Sequence, residues 1–182
     1  MDQIIKKWNY KQNLHQKAQW YRYFGEYIEL VDLILEKTKQ SQVTVISLPT
    51  LFLMRHTIEL GYKTNLFFLE VPFKTSGKCA HMLNELHKKL ETKVSSIILN
   101  YEATIKKEIM KRIKSLSKFK GIFDELDNFS YAFRYPVTTD MKIKSFKPND
   151  SINIAKIIPA YELAINTLKY TTDVLDDYIE NN

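Results

Sequence analysis

Apolar residues recur at three- and four-residue spacing along most of this chain, and that period predicts helices. Residues 14–39 carry Tyr23, Tyr27, Leu30, Val31, Ile34 and Leu35 in this rhythm, so a long first helix is expected to bury that stripe. Residues 40–46 read as a loop; the VTVI run within them is strand-like but short, and it leads into a helix start at Ser47 and Pro49. The central helix that follows is expected to end near Val71 and Pro72, with Gly61 as its one breaker. After a turn over 73–78 (FKTSGK), helices are expected over 79–92 and 95–116. The second of these places Ile98, Tyr101, Ile105, Ile109 and Ile113 on one face, and 119–126 adds one or two further turns.

The period breaks at Asp127. The segment DNFSYAFRYPVTTDMKIKSFKPND has turn chemistry, alternation and two prolines, and reads as a hairpin or ordered loop with Thr139 and Asp140 near its tip. Ser151 then caps a last helix reaching Ile179, with Ile154, Ile158, Tyr161, Ile165, Leu168, Leu175 and Ile179 as its apolar stripe. Pro159 is expected to kink or restart that helix, because proline lacks the donor a helix interior needs. With no internal repeat, low-complexity tract or linker, residues 1–182 read as a single domain. The expected fold class is all-α, an up-down helical bundle with one excursion before the last helix.

Composition narrows the function classes. A chain of 182 residues with 45% hydrophobic and 26% charged content buries a core of its own. Four glycines and five prolines disfavour a multi-turn β fold. A lone cysteine, Cys79, excludes an intrachain disulfide framework or thiolate metal cluster. No apolar run approaches the roughly 18 residues of a membrane span, and the start MDQIIKKWNYKQN has no apolar signal-peptide core. No membrane partner and a cytoplasmic location are therefore expected.

Charge is uneven around the net +6. Lys106, Lys107, Lys111, Arg112, Lys114, Lys118 and Lys120 face a single acid, Glu108, in the same stretch. Such a run is either a solvated helix face or a phosphate-binding surface for RNA or DNA. No Gly-rich phosphate loop, HExxH or Cys-x-x-Cys occurs, and His81 and His87 are spaced poorly for one helix face, so no cofactor and no metal are expected.

The central segment carries the most unusual pattern. Arg55, Glu59 and Lys63 lie four apart on one ridge, bordered by Leu48, Tyr62 and Leu66. Charges on the apolar side of a helix form either a paired internal network or a site. His56, His81 and Arg134 complete the candidate polar seam. Arg134, held in YAFRYP between two aromatics, is expected to meet Glu59, because a half-buried carboxylate needs a counter-charge.

The pattern LPTLFLMRHTIELGYK, then HMLNELHKKL, then FRYP ahead of a final helix resembles a branch of the HEPN-like superfamily, over roughly residues 47–179. Arg55-His56 with Glu59 and Lys63, His81 with Leu83 and Leu86, and Phe133-Arg134-Tyr135-Pro136 carry the resemblance. It implies a small all-helical bundle, frequent dimerisation, a prokaryotic defence or mobile-element setting and, in many members, metal-independent RNA cleavage. Nuclease members carry an Arg followed after four to six residues by a His. None of Arg22, Arg55, Arg112 and Arg134 has a histidine at that distance downstream, so no catalytic residue carries over. Three functions follow as expectations: a non-catalytic nucleic-acid-binding protein, a homodimeric interaction or adaptor module with a protein partner, and an atypical ribonuclease using His81 with Arg134 or Arg55. Trp8, Trp20, Tyr10, Tyr21 and Tyr23 crowd the N-terminal segment and favour the second, since such aromatics anchor interfaces.

Overall fold

A computed structural model describes residues 16–40, 47–74, 76, 78–127 and 154–180. Five α-helices make up the described chain: α1 Gln16–Gln40, α2 Leu48–Phe68, α3 Leu83–Ile97, α4 Ala103–Asp127 and α5 Ile154–Glu180. Short 3-10 turns at Lys78–His81 and Ile98–Asn100 precede α3 and α4. The protein is an all-α bundle, with no strand among the described residues. The expected hairpin before the last helix lies outside them. No described helix is long and apolar enough to cross a membrane.

The centre is α2. It packs against α1, α3 and α5, and α4 closes the ring between α3 and α5. Its start is fixed locally: the Ser47 side chain accepts from the Thr50 amide at 3.3 Å, and Pro49 lies in the first turn, where no donor is lost. Its end is equally specific and comes earlier than the sequence pattern implies. The amides of Glu70 and Val71 bond back to Phe67 O and Leu66 O at 3.1 and 2.9 Å, the paired bonds of a Schellman cap. That cap places Glu70 at φ 55°, the left-handed region that favours glycine.

The helix faces differ from expectation in three places. On α1 the buried residues are Phe24, Ile28, Val31 and Leu35, while Leu30 is 42% exposed. Val31 and Leu35 are buried as expected, whereas Phe24 and Ile28 take the places expected for Tyr23 and Tyr27. Ile98, Leu99 and Asn100 leave the α-helical path, so α4 starts at Ala103 and buries Ile109, Ile113 and Leu116. The turns expected at 119–126 are a continuation of α4. Helix α5 passes Pro159 in its second turn without restarting. Its buried face is Ile157, Tyr161, Ala164, Ile165 and Leu168, with Thr167, Thr171 and Thr172 beside them.

Three helices converge at Gly61. A Cβ there would stand 2.8 Å from Leu168 Cδ1 on α5 and 2.8 Å from the Phe24 ring on α1. Next to it, Asn65 Nδ2 donates to Gly61 O and Leu168 O at 2.9 and 3.1 Å, fastening α2 to the α5 backbone. The pairs Trp20–Thr64, Phe24–Gly61 and Tyr27–His56 run in opposite chain directions, so α1 and α2 are antiparallel.

Gly61→Ala and Gly25→Ala should move stability in opposite directions. At Gly61 the added methyl meets fully buried side chains, and overpacking of about 1–3 kcal/mol outweighs a helix-propensity gain of about 1 kcal/mol. At Gly25 nothing lies within 4 Å, so only the gain remains. Urea unfolding of both variants measures this. Glu70→Gly should stabilise by about 1 kcal/mol in the same assay, because it relieves the left-handed cost at the cap.

Candidate functional site

The seam residues on α2 point inward. Arg55 is 0% and Glu59 1% exposed, and Lys63 is nearly as buried. Their four-residue spacing stacks the three side chains on one face. Lys63 Nζ donates to Glu59 Oε1 at 2.7 Å, and Arg55 Nη1 approaches Glu59 Oε2 at 3.4 Å. His81, on the turn before α3, places Nδ1 2.8 Å from Glu59 Oε1. Arg55 Nη2 donates to the His81 carbonyl at 2.7 Å. One buried carboxylate thus gathers two cations of its own helix and an imidazole from the next element.

Burial pushes the Glu59 carboxyl up, but Lys63 and then His81, by charge and by hydrogen bond, outweigh it and hold the group below its ordinary value. Glu59 is therefore ionised at neutral pH and accepts from His81 Nδ1–H. The His81 side chain is 35% exposed, which makes it the member of the network that reaches solvent.

His56 packs among aromatic rings. Its ring stacks on Phe52 at 5.6 Å and meets Tyr27 edge-on at 5.0 Å, which makes it part of the α1–α2 packing. His87, not singled out by sequence, is buried and lies 3.1 Å from the Tyr62 hydroxyl through Nδ1. Arg134, the expected partner of Glu59, lies outside the described residues. Among the described residues no cluster of three or more His, Cys, Asp or Glu stands ready to hold a metal ion.

The basic stretch on α4 divides into two. Arg112 is committed: its Nε donates to Glu108 Oε1 at 2.7 Å, and its guanidinium lies 4.2 Å over the Tyr170 ring of α5. Lys107, Lys111 and Lys114 are exposed, and their four- and three-residue spacing makes one outward ridge. Lys106 is half-buried, and the side chains of Lys118 and Lys120 lie outside the description. Of the aromatics expected at an interface, Trp20 is half-buried against Phe67 and Phe73, and Tyr21 donates to Asp173 Oδ1 at 3.2 Å. Trp8 and Tyr10 lie outside the described residues.

No family model, curated protein or solved structure matches this chain. The geometry of the seam and of the α4 ridge therefore carries the functional reading.

Glu59→Gln should cost about 3–5 kcal/mol at pH 7, because it leaves two buried cations without their carboxylate. The wild-type carboxyl is held low in the fold, so its contribution is complete above the unfolded pKa of about 4.3 and is lost as pH falls through the lower folded value. Glu59→Gln should accordingly flatten the acid limb of stability, read by urea unfolding at a series of pH values below neutrality.

Proposed function

We propose that this chain is a non-catalytic, HEPN-like nucleic-acid-binding protein, engaging RNA or DNA phosphates through the outer ridge of α4. The observation that carries this reading is the division of labour among the cations. Arg55 and Lys63 are spent inside the bundle on Glu59, and Arg112 is spent on Glu108 and Tyr170. Lys107, Lys111 and Lys114 stay exposed and form no ion pair among the described residues. A ridge of exposed ammoniums on a chain of net charge +6 attracts polyanions without reading sequence.

The same geometry argues against cleavage. Metal-independent RNA cleavage needs a positioned base and a cation beside the developing charge. Arg55 is fully buried and already donates to Glu59 and the His81 carbonyl, so it does not offer its guanidinium to a substrate. The missing Arg-to-His spacing points the same way.

A second reading, a homodimeric interaction module, draws on α1. Leu30 and Leu33 are 42% and 54% exposed there, beside the half-buried Tyr27 and Ile34. Light scattering separates the two: a dimeric mass that Leu30→Glu and Leu33→Glu convert to a monomeric one supports this module.

Fluorescence anisotropy with labelled oligo-uridine should show weak binding that falls with salt. The three ridge lysines should contribute about −2 to the log–log slope, at roughly −0.7 per contact. Lys107→Glu, Lys111→Glu and Lys114→Glu together should abolish binding, and wild-type protein should leave RNA intact in the presence of a chelator. Absence of wild-type binding at low salt would leave the ridge as a solvated face and favour the dimer.

A further inference from the structure

Helix α3 has two well-separated faces. Leu83, Leu86, His87, Leu90 and Val94 are buried against the bundle. Glu85, Lys88, Lys89, Thr92, Lys93 and Ser96 recur at three- and four-residue spacing on the other side and line an open groove of about 590 Å³. The opposite wall is Val71–Pro72, the segment that leaves the Schellman cap of α2. Lys89 Nζ donates to Pro72 O at 2.7 Å and ties the two walls together. The groove thus lies between an α3 face and the α2 exit backbone, with Lys89 bridging the two.

Its chemistry is one-sided. Three ammoniums and the Thr92 hydroxyl face one carboxylate, Glu85. With Lys89 committed to Pro72, Lys88 and Lys93 remain, and neither forms an ion pair among the described residues. Val71, Pro72 and the lysine stems supply apolar surface, which suits a sugar edge or base next to a phosphate. From Glu85 to Ser96 the face runs on the order of 16 Å at a helical rise of 1.5 Å per residue, room for a few successive phosphates of an extended strand.

From these features we infer that the α3 groove is a second phosphate-binding surface, and that it holds the backbone of a single nucleic-acid strand through Lys88 and Lys93. The inference rests on the nucleic-acid reading above but uses a different helix and different residues. Charge complementarity selects the occupant: a net-positive, open, elongated groove takes a polyanion that lies along it, not a compact ligand enclosed by it.

The test compares the full chain carrying Lys88→Glu with Lys93→Glu against the α4 ridge variant, by anisotropy with labelled oligo-uridine across a salt series. Losing two phosphate contacts should shallow the log–log slope by about 1.4 and weaken binding roughly tenfold to thirtyfold near 0.1 M salt. Lys88→Arg with Lys93→Arg should retain binding, since charge is kept. Circular dichroism melting checks that the substituted chains stay folded, and Lys88→Gln with Lys93→Gln should show a smaller loss in the same direction. If the α3 variant binds like wild type while the ridge variant does not, the groove inference is overturned and the ridge reading stands. If wild type itself does not bind, the ridge reading and this inference fall together. Displacement of oligo-uridine by poly-glutamate at equal charge concentration would overturn the nucleic-acid occupant in favour of an acidic protein segment.

Discussion

Everything near the centre of this bundle depends on one carboxylate that has been taken out of water. Isolated, an ion of that size would cost several kcal/mol to bury, even after the protein relaxes. Glu59 tolerates its position because Arg55 and Lys63 arrive on the same helix, one turn to either side, and His81 arrives from the next element. The arrangement constrains more than charge. Arg55 also grips the His81 carbonyl, so the turn before α3 is held by its backbone as well as by its side chain. Removing the carboxylate therefore loosens the α2–α3 connection at the point where it rejoins the bundle.

The rest of α2 is shaped by close approach. A helix buried on nearly all sides must present something small where neighbours cross it, and Gly61 does so between Phe24 and Leu168. Several polar side chains beside that crossing bond to backbone. Asn65 reaches Leu168 O, and Thr171 and Thr172 bond the preceding turn of α5. The interior of this bundle thus holds several polar groups, of which Asn65 ties one helix to another while the two threonines bond within their own.

Much of this was legible in the sequence, and the misses have physical causes. The ridge of Arg55, Glu59 and Lys63 could be read because a spacing of four leaves no other geometry on a helix. Its closure by His81 could not be read, because that contact depends on where the turn before α3 returns to α2; the expected Arg134 contact lies outside the described residues. On α1 the expected stripe mixes two adjacent apolar faces, 23/27/30/34 and 24/28/31/35; periodicity does not separate them, and the contact of Phe24 with Gly61 belongs to the second. The 3-10 turn at Ile98–Asn100 has no Gly or Pro to announce it. The α3 groove was invisible because one of its walls belongs to a segment that no periodicity places beside α3.

The bond from Asn65 to Leu168 spans 103 residues of chain, against 26 for Arg55 to His81. Loop-closure entropy grows with the logarithm of that separation, so joining α5 to α2 costs about 1.2 kcal/mol more than closing the ionic network. By this measure the network is the cheaper closure and the α5 seam the more expensive one. The seam that brings in α5, with its cluster of buried threonines, is thus the non-local one, and non-local pairing of this kind is what slows folding across proteins.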